Sequence, residues 1–194
     1  MRALVSLVVF SGLSLNLLLH FALGLRGAAK REDRPLPLFQ LGIFFLAVVM
    51  LWVVFSLILN PLGLDFLEYP ALFPLSVLAC RGLERLFRRI FPRAAAGGSG
   101  YFRPGTAYEG LVPAALFITL GMAAAPAEAL ALSLGFSLGV LISLVLVKEI
   151  RLRSALEQVP PVLRGRPLAL ISMGLLSLIF SSVAAVLLKT LGVF

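Results

Sequence analysis

Hydrophobic residues gather in six runs, near positions 3–23, 36–59, 71–90, 110–125, 127–147 and 168–188, separated by shorter polar, glycine-bearing or proline-bearing stretches. An α-helix needs about 20 apolar residues to cross roughly 30 Å of hydrocarbon, and most of these runs reach that length. The pattern predicts an all-α membrane protein with six transmembrane helices. Two runs depart from an ideal span: Arg81 and Arg85 enter the last turns of the third, and the fourth is short, with Pro113 inside and Pro126 at its end. Both prolines predict kinks or breaks. The first run, where Arg2 precedes apolar residues, has the look of a secretory signal, but Ala3 to Leu23 is long enough to span and predicts a retained helix.

Charge orients these spans. The first connection holds Arg26, Lys30, Arg31 and Arg34; the third, with the end of the third span, holds Arg81, Arg85, Arg88, Arg89, Arg93 and Arg103; the fifth holds Lys148, Arg151, Arg153, Arg164 and Arg166. The second has Asp65 and Glu68 without a basic residue, and the fourth only Glu128. Basic loops stay in the cytoplasm, so the odd connections are expected inside and both termini outside, with Arg2 and Lys189 the dissenting charges. Tyr69 and Tyr108 fall just before predicted spans, where amphipathic rings favour the interface; Tyr101 and Trp52 do not fit that belt.

Three spans per half means that the second half enters the membrane from the opposite side. Thr119-Leu-Gly-Met-Ala-Ala-Ala-Pro126 echoes Ala22-Leu-Gly-Leu-Arg-Gly-Ala-Ala29, and Ala94-Ala-Ala-Gly-Gly-Ser-Gly100 has the composition of a flexible joint. The expected architecture is an inverted 3+3 repeat with a broken first helix in each half: residues 1–93, a linker at 94–107, and residues 108–194.

Composition sharpens this picture. Of 194 residues, 60% are hydrophobic and 13% charged, beyond the roughly half apolar content of soluble domains. The net charge of +8 sits in alternate loops, which reads as topology and not as a nucleic-acid surface. Fifteen Phe residues are expected in core packing and facing lipid. The single cysteine, Cys80, allows neither an intrachain disulfide nor a multi-cysteine metal site, and is expected to be buried and inert. No catalytic dyad, phosphate loop or nucleotide motif is present.

The polar residues of the first run are the leading candidates for chemistry. Asn16 and His20 are spaced i, i+4 and share a stripe, with Gly12 one turn earlier leaving room for another backbone. Ser11 and Ser14 are assigned to the other side, bonding back to their own helix. Strongly polar groups in hydrocarbon face partners or water, so Asn16 and His20 mark either an ion path at the repeat interface or interhelical hydrogen bonds. Gly135, Gly139 and Ser143 form a small-residue stripe suited to close packing, within the chain or with a sister subunit. Arg26 is expected to snorkel to the interface, with an anionic lipid or a partner carboxylate as the alternative ligand. Arg81, Arg85, Arg88, Arg89 and Arg93 are expected to anchor the third span and attract anionic lipid, or to dock an acidic partner.

Several motifs carry a family likeness. Gly135-Phe-Ser137, Lys148-Glu149, Val159-Pro-Pro-Val-Leu-Arg-Gly165 and Ala169-Leu-Ile-Ser-Met-Gly-Leu-Leu-Ser-Leu178, in that order and spacing, resemble the RnfA, RnfE, NqrD and NqrE membrane subunits; so do Asn16 and the Leu23-Gly24-Leu25 turn. Two predicted outward termini make RnfA and NqrE the nearer analogues. The resemblance implies a non-catalytic, multi-pass subunit of an ion-translocating electron-transport complex in a bacterial-type inner membrane, paired with redox subunits and a sister six-helix subunit. In that family a cysteine follows the Leu-Gly-Leu turn, another lies in the broken fourth helix, and two chains together hold a 2Fe-2S cluster. Here Arg26 stands at the first position, Thr119 or a neighbour at the second, and no residue from 109 to 126 is cysteine. Such clusters need thiolate or imidazole ligands, so the cluster is expected to be absent or not ligated by this chain. The alternative is a stand-alone secondary transporter or lipid-binding protein built on the same inverted repeat.

Overall fold

The computed structural model describes residues 2–21, 23, 38–59, 61, 63, 68–90, 110–156 and 166–191. Arg26 and its loop, Arg93, the 94–107 linker, Tyr101, Tyr108 and the Val159–Gly165 motif lie outside the described residues. Among those described, the architecture is all-helical. Helix α1 (Arg2–Val9) runs into a wide π-turn (Phe10–Ser14), and α2 (Leu38–Val54) ends in another (Phe55–Leu59). They are followed by α3 (Glu68–Ile90), α4 (Leu111–Met122), α5 (Pro126–Leu156) and α6 (Arg166–Thr190).

Among the described residues, three of the six expected spans are helices long and apolar enough to cross a membrane: Leu38–Leu59, Pro126–Ile150 and Leu170–Thr190. The others differ for distinct reasons. α3 is amphipathic, because its C-terminal half alternates an inward stripe with outward arginines. α4 has 12 residues, an extent of about 18 Å at 1.5 Å per residue, short of a bilayer's hydrocarbon. The first run also stops early, since regular helix ends at Ser14 and the chain continues through turns from Leu15.

The prolines explain part of this. Pro113 is the third residue of α4, where its missing N–H has no intrahelical acceptor to lose, so it is accommodated in the first turn without a kink. Pro126 opens α5 at the position that favours proline most. Glu128 completes that start: its Oε2 accepts from the N–H of Ala124 at 2.8 Å and of Ala125 at 3.3 Å, in the manner of a capping box. The break between α4 and α5 is thus built by Pro126 and Glu128 together.

α5 is the centre of the bundle, packing against α1 and its π-turn, α2, α4 and α6. α2 packs on α3, α4 and α5; α6 packs on the π-turn after α1, on α1 and on α5; α3 packs on α4. Leu17, Leu18, Phe44, Val48, Leu116 and Phe136 sit in one core cluster. Phe residues divide as expected, with Phe44, Phe55, Phe136 and Phe180 buried and Phe21, Phe73 and Phe117 exposed. Leu57, Leu78, Leu175, Leu178 and Val186 also lie outward, an apolar exterior suited to lipid or protein cover.

Candidate functional site

The site forms where the first helix gives out. The π-turn at Phe10–Ser14 closes with Leu15 N–H donating to Phe10 O at 2.9 Å, an i→i+5 bond that widens the backbone. Asn16 then sets the next direction: its Oδ1 accepts from the N–H groups of Leu18 and Leu19, both at 3.2 Å, as an N-cap side chain does. A further turn follows, with His20 N–H donating to Asn16 O at 2.9 Å. Asparagine suits this role because it offers the backbone a local acceptor.

The other end of the same amide fastens the break to α5. Asn16 Nδ2 donates to Gly12 O at 3.0 Å, Gly139 O at 3.0 Å and Ser143 Oγ at 2.8 Å. Ser143 Oγ in turn donates to Gly139 O at 2.8 Å. Asn16 is 1% exposed, so these bonds form in a dry, low-dielectric setting. Both polar atoms of its amide are fully engaged.

Close backbone approach makes this possible. A Cβ on Gly12 would lie 2.9 Å from Gly135 O; one on Gly135 would run into Ser11 Oγ and Val8 O; one on Gly139 would run into Gly12 O. The small-residue stripe of α5 therefore meets Gly12 within the chain. Ser11 is on this side as well, fully buried, with its hydroxyl donating to Val8 O at 3.3 Å. The straight-helix register assigned it to the opposite side; the π-turn, which rotates successive residues by a smaller angle, brings it round. Ser14, also assigned there, is half-buried at the end of that turn.

His20 reaches elsewhere. Its Nε2 lies 3.0 Å from Ser181 Oγ on α6, and its Nδ1 is buried without a partner among the described residues. The tautomer that leaves no orphaned N–H carries the proton on Nε2 and donates it to Ser181. The i, i+4 pair that sequence spacing puts on one stripe thus engages two helices, Asn16 on α5 and His20 on α6. Thr119 is buried in α4, its Oγ1 donating to Ala115 O at 2.7 Å and its carbonyl accepting from Ala123 N–H at 2.9 Å. All its hydrogen bonds stay in its own helix.

A second polar column went unnoticed in the sequence. Leu72, Ser76, Cys80 and Glu84, four apart, form the inward stripe of α3 and are all buried. Glu84 is 4% exposed; Oε1 accepts from Arg88 Nη2 at 2.5 Å and Nε at 3.1 Å, and Oε2 has no partner among the described residues. Gln40, 2% exposed, is another buried polar side chain near the start of α2, next to Phe39, whose ring meets Phe87 edge-on at 6.4 Å. The i+4 phase with Cys80 was the available signal for Glu84, hidden by the arginines around it. Arg81, Arg85, Arg88 and Arg89 are all exposed. Among the described residues, no three of His, Cys, Asp and Glu converge as a metal site would require.

No family model matches the chain. Among known proteins, it is similar to the A subunit of the ion-translocating oxidoreductase complex of Syntrophotalea carbinolica, 26% identical over 189 residues, an alignment covering 95% of this chain and 97% of that protein.

Proposed function

We propose that the chain is an integral membrane subunit of an ion-translocating electron-transport complex of the RnfA/NqrE kind, serving as scaffold or ion-path element without iron–sulfur ligands of its own. The observation that carries this reading is the alignment with the Syntrophotalea protein over 95% of this chain and 97% of that protein. Three helices of membrane-crossing length, and short apolar α1 and α4 segments that each stop before a break, agree with it.

The inverted repeat has support in the packing. Exchanging the halves turns the contact of the α1 element with α5 into that of α4 with α2, its contact with α6 into that of α4 with α3, and α2–α3 into α5–α6, while α2–α5 maps onto itself; α4–α5 has no comparable α1–α2 counterpart among the described residues. In this reading residues 1–93 and 108–194 are the two repeats, joined by 94–107, with the basic loops in the cytoplasm and both termini outside.

The donor chemistry argues against a resident 2Fe-2S cluster. Arg26 brings a guanidinium, and the Thr119 hydroxyl is committed to Ala115 O. The one thiol, Cys80, is fully buried on α3. None of these offers a thiolate at a break, so no electron step is assigned to this chain. Asn16 and Gly12 act as a helix interface that holds the first break against α5. His20 Nδ1 and Glu84 Oε2 are the buried side-chain atoms without a partner among the described residues, the kind of group an ion path uses.

Mild detergent extraction tests the reading. Co-purification with a sister six-helix chain and a redox subunit is expected; a monodisperse lone protein that accumulates a small solute would reject it in favour of a secondary transporter. Coupled ion flux in Asn16→Ala and His20→Ala then separates the path from the interface: with assembly intact, flux is expected to hold in the first and fall in the second.

A further inference from the structure

The C-terminal half of α3 is a built cationic surface. Arg81, Arg85 and Arg88 fall within a stripe of about 60° at helical spacing, with Arg89 beside it, and all four are exposed. The carboxylate in these turns, Glu84, points inward and engages Arg88, whose side chain stays 50% exposed. Arg81, Arg85 and Arg89 have no acidic partner among the described residues. Apolar side chains continue the same surface: Leu78, one turn before, is 71% exposed, and Leu86, one turn from Arg89, is 53% exposed.

We infer that this surface binds an anionic phospholipid, its phosphate held by Arg81, Arg85 and Arg89, the arginines without an acidic partner among the described residues, and its acyl chains lying along the outward apolar residues. The inference rests on the proposed membrane placement of α3. Guanidinium forks match the paired oxygens of a phosphate or a carboxylate, and inward-turned Glu84 leaves the outer face without negative charge to repel either. The apolar neighbours favour lipid over a docked acidic protein. Leu78 and Leu86 adjoin the charges, and a phospholipid supplies a phosphate and a hydrocarbon chain in one molecule, whereas a soluble acidic surface would bury those apolar side chains against carboxylates.

The test uses the full chain in nanodiscs of phosphatidylcholine, titrated with phosphatidylglycerol, with bound lipid counted by native mass spectrometry. The wild-type chain is expected to retain phosphatidylglycerol in preference to phosphatidylcholine. The triple variant Arg81→Gln, Arg85→Gln, Arg89→Gln should weaken that retention roughly fivefold per arginine removed. The matching lysine variant should fall less, keeping charge but losing the fork. Arg153→Gln, which removes an exposed arginine paired with Glu149 on α5, should change little. If the triple variant does not fold, Arg85→Gln alone carries the test with a loss of about fivefold. No anionic preference in the wild-type chain, or a triple variant that retains lipid equally, would overturn the inference. A variant that keeps its lipid but loses co-purified subunits would overturn it in favour of protein docking. Release of the chain from membranes by alkaline carbonate would instead remove the membrane placement on which it rests.

Discussion

Asn16 does two opposed jobs with one amide. Its oxygen terminates one helical direction and starts the next by accepting from Leu18 and Leu19, while its nitrogen ties that break to Gly139 and Ser143 across the interface. Asn16→Ala removes both, leaving buried acceptors and two N–H groups unpaired, and is expected to cost about 1–3 kcal/mol. Asn16→Asp keeps the acceptor but sets a carboxylate against Gly12 O and Gly139 O, so it should be worse than alanine. Ser143→Ala, which removes one partner, should cost about 1 kcal/mol. Detergent-solubilised thermal unfolding ranks the three, and an aspartate variant as stable as wild type would contradict the assignment of these bonds. The His20–Ser181 contact is expected to be weaker, with a coupling of about 0.6 kcal/mol in a double-alanine cycle.

At the scale of elements, glycine spacing decides how near α1 and α5 come. Gly135→Ala and Gly139→Ala each press a Cβ into backbone that cannot rotate aside, and should destabilise by about 1–3 kcal/mol. Gly174 on α6 has nothing within 4 Å of the added carbon, so Gly174→Ala should be tolerated. Equal melting temperatures for the three alanine variants would mean the helices sit farther apart than described. The contrast also shows what a small-residue stripe needs: the stripe on α5 works because Gly12 and Ser11 present a matching backbone. The two breaks use different chemistry, a π-turn with an asparagine cap in the first half and Pro126 with Glu128 in the second.

For the whole molecule, the proposed family role and the missing ligands lead to one measurable consequence. Iron analysis and visible absorption of the purified chain should show no 2Fe-2S signature. A purified complex that has one should owe it to partner cysteines, and the signature should survive Cys80→Ala in this chain. Loss of the signature in that variant would make Cys80 a ligand and refute the reading.

Much of this architecture could be read from the order of residues. Six apolar runs foretold the helices within a few residues of where most of them lie, because burying or lipid-facing a continuous apolar segment is a property of local composition. The break before α5 was foretold by Pro126, since a missing donor acts on its own neighbours; in the first half the run from Ala3 to Leu23 reads as one helix, and a break there was expected only from the family likeness. The candidate residues Gly12, Asn16 and Gly139 were visible as types, small or polar in an apolar setting, but not as partners. Gly12 and Gly139 lie far apart in the chain, and only packing decides that one's carbonyl takes the place of the other's absent side chain. The same holds for His20 turning to Ser181 rather than sharing a path with Asn16: Asn16 sits at the break and caps a new turn, so no continuous 3.6-residue register runs through the pair. Glu84 is the plainest case. Among arginines in sequence it reads as one more surface charge; its i+4 phase with Cys80 is a signal only once packing has turned that stripe of α3 inward.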